Sequence, residues 1–447
     1  IPLFYYCFCS FCSAYWLCLE CLFNIPLFGV CFQAPIAVFA DTSFSSFALI
    51  IKSWKEILFG VAAIILIFII WRKKLQYELY NDKLIWVCLA VAALNVFLLA
   101  ILPNNQLSEV AALIINLRIY LAFIVCYILV KIYPPAKKIL LKSIGAGIAL
   151  VCIIALLQAT ILPKDILKSL GYSDLTIKPY LTVDQNNNFV RINSTLRGPN
   201  PLGAFAVIAI SLMVVFWRRY QKISKPCLIL GIVVLCGAIA ALWFSYSRGA
   251  WLAMLVSIII IPLIYQAKNG TINHRLLLIV PIMTVILVTL IGLNSKSSFV
   301  QNVIFHNNPE SSSVIKSNHG HMQSMTDGVS TVVNHPFGFG LGSVGSPSLL
   351  SGRPKIIENQ YIYMAIETGV LGLVLQMMGF GIVLWKLYSH RDNLSIGVLA
   401  SGIGMAIIGM FLPVWADDTI GIIWWSLAGL TIATNKKKNN KKELANA

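Results

Sequence analysis

Three arginines and one glutamate are the residues in this sequence best suited to chemistry. Arg191 and Arg197 stand in RINSTLRGPNPLGAF, Arg248 in SYSRGAW, and Glu358 in IIENQYIYMAIETGVLG. A guanidinium offers paired N–H donors in a planar fork, which suits a phosphate. A carboxylate partly desolvated at the edge of an apolar helix has a raised pKa and can take a proton from a hydroxyl. Together they would make an anion site with a general base. Each also has a plainer reading. Arginines at a membrane edge reach toward lipid headgroups, and a carboxylate at a helix start is favoured by the helix dipole. Three arginines on one face favour a shared anion site. Asn200, Asn359 and Tyr361 stand in the same stretches and are supporting polar candidates.

Other motifs carry less. GFGLGSVG at 338–345 holds Gly340, Gly342 and Gly345 at the spacing of a dinucleotide-binding loop. That loop needs a strand before it and a helix directly after it. Here His335, Pro336 and Phe337 precede it, and Pro347 follows two residues later. The glycines therefore read as tight turns where a loop meets the protein, still able to offer backbone N–H groups to an anion. His319 and His321 form His-x-His without a third ligand, so a polar loop role is expected and no metal. Asp417 and Asp418 read as a helix-capping pair. Glu367 is expected either to be hydrogen-bonded structurally or to lie on the substrate path. Cys9-x-x-Cys12 and Cys18-x-x-Cys21 are half-sites for zinc set too close together. Their neighbours are aromatic and aliphatic, so they read as small hydrophobes.

What must position these groups is a membrane bundle. The chain has 447 residues, 58% hydrophobic and 11% charged, with mean hydropathy +0.81. A soluble domain carries about 25% charged residues. The fold expected is all-α, a polytopic transmembrane protein of about twelve spans. These lie near 22–40, 57–71, 84–102, 108–131, 139–162, 201–217, 227–244, 250–266, 276–293, 360–385, 394–414 and 419–434. Alternate connections are about four times as dense in Lys and Arg and are assigned to the cytoplasm. This explains the net charge of +17 without nucleic acid. Two long loops, 163–200 and 294–357, then lie outside, and long loops usually carry function. The expected organisation is an uncertain apolar leader plus first span (1–56), a helical bundle (57–293), the large extracytoplasmic loop (294–357), C-terminal helices (358–434) and a basic cytoplasmic tail (435–447). Ala37-Val38-Phe39-Ala40 loosely resembles a signal-peptidase site, with no basic region before it. The sequence opens on Ile, which leaves room for a start further upstream.

Four stretches resemble the O-antigen ligase and polymerase superfamily of bacterial envelopes. RGPNPLGAF (197–205) resembles the family's segment after an extracytoplasmic loop, and YSRGAWLA (246–253) its Ser-Arg-Gly-Ala turn. ENQYIYMAIETGVLG (358–372) resembles a His-Asn, nine residues, Gly-x-x-Gly segment, and HPFGFGLGSVG the Pro-x-Gly-x-Gly stretch of the large loop. The resemblance covers roughly 60–435. It implies transfer or polymerisation of an undecaprenyl-pyrophosphate-linked glycan onto an acceptor hydroxyl, on a glycan or a lipid. The reaction would run at the outer face of the bacterial cytoplasmic membrane, among membrane lipids, with no cofactor or metal. By motif match, Arg248 and Arg197 would bind the pyrophosphate. The family's catalytic histidine falls on position 358, which is Glu here, and the carboxylate would serve as base. His321 would fall among the polar residues of the large loop. No Asp-x-Asp pair, which would hold a metal for nucleotide sugars, occurs. The alternative class is a transporter or flippase of a lipid-linked or small anionic substrate. It would call for paired halves with interrupted helices, and no internal repeat is visible. A non-enzymatic assembly partner is a third class.

Overall fold

The structure is a computed structural model that describes residues 22–220, 224–269, 289–305, 317–390 and 392–433. Among these, nine helices are long and apolar enough to cross a membrane. In chain order the helices are α1 (Leu22–Ser43), α2 (Trp54–Arg72), α3 (Lys83–Ile101), α4 (Gln106–Ile132) and α5 (Ala136–Thr160). They continue with α6 (Pro199–Trp217), α7 (Lys225–Phe244), α8 (Arg248–Lys268), the polar α9 (Ser317–Asn334) and α10 (Gln360–Ser389). Two shorter apolar helices, α11 (Asn393–Gly409) and α12 (Asp418–Ile432), complete the bundle. The all-α expectation holds. Among the described residues the one strand pair is a hairpin in the 163–200 segment, β1 (Leu181–Val183) against β2 (Asn186–Arg191). Of the twelve expected spans, 276–293 falls largely outside the described residues, as do the two Cys-x-x-Cys pairs.

Helices dominate because lipid offers nothing to an unpaired peptide group. Their starts are set by short polar side chains. Asp82, Asn105, Asn359, Asp392 and Asp417 each accept hydrogen bonds from backbone N–H groups in the first turn of α3, α4, α10, α11 and α12. The centre of the bundle is α12, in which every residue from Thr419 to Ile432 is buried. It packs along α4, while α11 packs against α6 and α8. Trp415, Trp424, Trp425 and Phe380 interlock in this core, with ring centroids 5.2 to 6.1 Å apart. The α11 surface is built from small residues, including Gly397, Ala400, Ser401 and Gly404, which let neighbouring backbones come close.

The glycine run docks into a broken helix. At Gly369 the backbone of α10 leaves the helical region, with φ 70° and ψ 174°. The peptide groups freed there are taken up by the 336–342 loop. Phe339 N donates to Ile366 O at 2.7 Å, and Val370 N donates to Pro336 O at 2.8 Å. Gly338, at φ +80°, abuts the break so closely that a Cβ on it would lie 2.6 Å from Gly369 N. Gly340, Gly342 and Gly345 also have positive φ. Asn104 Nδ2 holds the loop by donating to Phe339 O at 2.7 Å. Glu367 is the second anchor: Oε1 accepts from Gly342 N and Oε2 from Asn116 Nδ2, both at 2.9 Å. Of its two expected roles, structural hydrogen bonding is the one observed. The loop meets the protein as tight turns, as its sequence suggested.

Candidate functional site

Arg191 and Arg248 come together where the hairpin meets the turn between α7 and α8. Arg191 ends β2, and its Nε donates to Ser245 O at 2.7 Å. Its Nη2 donates to Asn200 Oδ1 at 2.5 Å, tying the hairpin to the start of α6. Burial pushes the Arg191 guanidinium down to about 10; the neighbouring charge of Arg248 acts in the same direction, and Asp184 opposes it. Arg248 opens α8, is half-buried, and its Nη1 donates to Ile304 O at 2.8 Å. The turn is braced by aromatic rings. Phe189 of β2 meets Tyr246 edge-on at 6.1 Å, while Trp243 stacks on Trp251 at 5.4 Å and on Phe299 at 5.7 Å. Among the described residues, the charges that act on Arg191 are those of Arg248 and Asp184, and an anion would relieve the repulsion between the two cations.

Arg197 sits apart from that pair, with half of its side chain exposed. Its Nε lies 3.2 Å from Asp417 Oδ2. Arg197, Asn200 and Asp417 line a cavity of about 240 Å³. Asn200 also holds Arg191, so this cavity adjoins the Arg191 side chain through Asn200. Arg197 and Asp417 further line a larger cavity of about 900 Å³ between α1, α2, α4 and the 176–197 segment. On its wall is an ionic cluster that sequence reasoning missed. Arg118 of α4 pairs with Asp418, and with Glu56 at 3.6 Å. Lys55 Nζ lies 3.0 Å from Asp418 Oδ2 and 3.1 Å from Glu56 Oε2. Lys55 and Arg118 are 2% and 6% exposed. The available signal was an arginine inside the apolar run AALIINLRIYLAF, since charge within a span is costly.

The acidic pair divides its work. Asp417 caps α12, accepting from Thr419 N and Ile420 N through Oδ1, as expected. Asp418 instead bridges Arg118 and Lys55. Burial raises the Asp417 pKa above its ordinary 3.8, the Arg197 charge opposes this, and the Asp418 charge adds to it.

Glu358 is half-buried and immediately precedes α10. Asn359 Oδ1 accepts from Tyr361 N and Ile362 N, and its Nδ2 donates to Met410 O at 2.9 Å. Tyr361 OH donates to Ala406 O at 2.6 Å. Both supporting candidates therefore use their polar atoms to fasten α10 to the end of α11. Next to Met410, Phe411 packs against Gly249, where a Cβ would meet its ring at 3.4 Å. The residues next to Glu358 and Arg248, Asn359 and Gly249, thus both meet the 410–411 turn. His319 and His321, expected in a loop, are on the helix α9 instead; their side chains lie outside the described part. Among the described residues no three His, Cys, Asp or Glu side chains gather as a metal site.

Residues 233–377 match the family model described as O-antigen ligase. The matched segment contains Arg248, Glu358, Glu367 and the break at Gly369. An O-antigen polymerase from Salmonella muenchen is 24% identical over 331 residues, covering 72% of this chain and 78% of that protein. The resemblance to the O-antigen ligase and polymerase superfamily holds. Similarity to an O-antigen ligase family model and to an O-antigen polymerase supports a role in polysaccharide assembly. With the apolar helices, it points to a multi-pass protein of the bacterial inner membrane. The O-antigen ligase match begins after Arg191, Arg197 and Asn200, so two of the three arginines lie outside it.

Proposed function

We propose that the protein transfers or polymerises an undecaprenyl-pyrophosphate-linked glycan at the extracytoplasmic face of the membrane. The observation that carries this is that Arg191, hydrogen-bonded to Ser245 O, and Arg248 share the turn that starts α8, with the charge of Arg248 acting on Arg191 across it. The acceptor hydroxyl oxygen attacks the anomeric carbon and gives its proton to the Glu358 carboxylate. The bond from that carbon to the phosphate oxygen breaks, and its electron pair leaves with the pyrophosphate. Attack opposite the leaving group inverts the anomeric centre. Arg248 and Arg191 meet the charge as it develops, and their partial burial strengthens the contact. Neither metal nor cofactor takes part in this scheme.

A transporter is the second reading, and one observation favours it: α10 is interrupted at Gly369, as transporter helices are at their substrate sites. That interruption is filled by the protein's own 336–342 loop, so the transfer reading is preferred. The test uses proteoliposomes supplied with an undecaprenyl-pyrophosphate oligosaccharide. Removing one group that stabilises transition-state charge costs on the order of 10²–10³ in turnover. Arg248→Ala is expected to lose that much and Arg248→Lys less. Undiminished transfer by Arg248→Ala sinks the proposal.

A further inference from the structure

The cavity of about 900 Å³ differs in electrostatic character from the Arg191–Arg248 site. Its cations are matched by carboxylates. Lys55 and Arg118 share Glu56 and Asp418, Arg197 faces Asp417, Lys52 Nζ lies 2.5 Å from Asp41 Oδ1, and the exposed Lys178 lies 3.7 Å from Asp174 Oδ1. A phosphate entering here would displace or face those carboxylates, so the wall is poorly suited to an anion. It is well suited to hydroxyl groups. A sugar hydroxyl donates one hydrogen bond and accepts others, and can therefore bridge a carboxylate and a cation without disturbing their pairing. Among the described residues, Arg118 Nε finds no hydrogen-bond acceptor, although the side chain is nine-tenths buried on this wall.

The rest of the cavity is apolar. Leu107, Val110, Ala111 and Ile114 follow helical spacing along one face of α4. Leu107, Val110 and Ile114 are 51%, 53% and 38% exposed. An apolar stripe ending at a charge-paired polar wall fits an amphiphile with a hydroxyl-rich head.

We infer that this cavity holds the acceptor: an uncharged glycan against the Lys55–Glu56–Arg118–Asp418 wall, with its lipid along the α4 stripe. The inference rests on the transfer reading, which keeps the pyrophosphate at Arg191 and Arg248. Arg197 and Asp417 line both this cavity and the smaller one that contains Asn200, the partner of Arg191, so the acceptor cavity adjoins the donor's arginines.

The test uses the full chain in nanodiscs and two probes. One is a phosphate-free oligosaccharide of the source bacterium's polysaccharide carrying a decyl aglycone. The other is undecaprenyl pyrophosphate without sugar. Ala111→Trp and Ala37→Phe fill the cavity from opposite walls without touching the ionic cluster, and an unfolding scan confirms that each variant is folded. At least one folded variant is expected to bind the oligosaccharide at least tenfold more weakly and undecaprenyl pyrophosphate unchanged. Loss of pyrophosphate binding, loss of neither probe, or no oligosaccharide binding by the wild type would each overturn the inference. Arg248→Ala is titrated alongside. Pyrophosphate binding that survives it counts against the transfer reading, whereas the oligosaccharide titration judges the cavity.

Discussion

Replacing Gly369 with Ala tests whether the broken helix holds the site's framework. At φ 70° and ψ 174° this residue occupies a region open almost only to glycine. A side chain there costs roughly 1–3 kcal/mol in backbone strain. The added Cβ would lie 2.8 Å from both the carbonyl carbon and the oxygen of Phe337, so the docked loop must move. Moving it lengthens two hydrogen bonds, Phe339 N to Ile366 O and Val370 N to Pro336 O. Each contributes about 0.5–1.5 kcal/mol. Together these come to roughly 2–6 kcal/mol, a large share of the ~5–15 kcal/mol that typically separates folded from unfolded protein. Gly381→Ala is the internal control. It lies on the same helix, and nothing stands within 4 Å of its added Cβ. It should be neutral or stabilising by up to ~1 kcal/mol. Thermal unfolding in nanodiscs compares the two, and hydrogen exchange at the Phe339 and Val370 amides locates the damage. If Gly369→Ala unfolds like Gly381→Ala with both amides still protected, the account of the glycine loop is wrong.

Arg118→Ala leaves the partly buried Asp418 and Glu56 with Lys55 as their remaining cation in the cluster and should cost up to about 3 kcal/mol, the low end for a broken buried pair. Arg118→Met with Asp418→Asn should recover much of that in the same unfolding scan, and a double variant no better than the single would argue against coupling. Asp417 gives a pH test. Its folded pKa is raised above 3.8, so the folded protein holds that proton more tightly than the unfolded chain. The resulting stability is complete below 3.8 and is lost as pH rises through the raised value. Asp417→Asn keeps a capping oxygen and cannot ionise, so its unfolding temperature should vary less with pH just above 3.8 than the wild type's. Parallel profiles would contradict the burial argument.

The membrane bundle was legible because lipid imposes one solution on apolar runs of this length. The glycine run was correctly refused as a nucleotide loop, since Pro347 and His335 deny it a helix and a strand. Its true partner was not legible. The break at Gly369 needs a residue far back in sequence to fill it, and a hydropathy profile carries no such long-range pairing. The arginines were found by their motifs and short turns, while the hairpin that brings Arg191 to Arg248 is only a few residues long and barely patterned. Arg118 was overlooked because the surrounding span is apolar enough to pass as lipid-facing. Lys55 and Glu56 read as the start of a helix, and only packing against α4 and α12 turns them into a buried cluster. Asn359 and Tyr361 are expected as supporting residues, and what no sequence pattern announces is that their hydrogen bonds go to their own helix start and to α11.

The most direct test is glycan transfer in proteoliposomes from an undecaprenyl-pyrophosphate oligosaccharide, comparing wild type, Glu358→Gln and Glu358→His. The account predicts product from the wild type, none or a trace from Glu358→Gln, and substantial product from Glu358→His, since an imidazole can take the same proton. Full transfer by Glu358→Gln would remove Glu358 from the chemistry, and no transfer by the wild type with any lipid-linked donor would contradict the account itself.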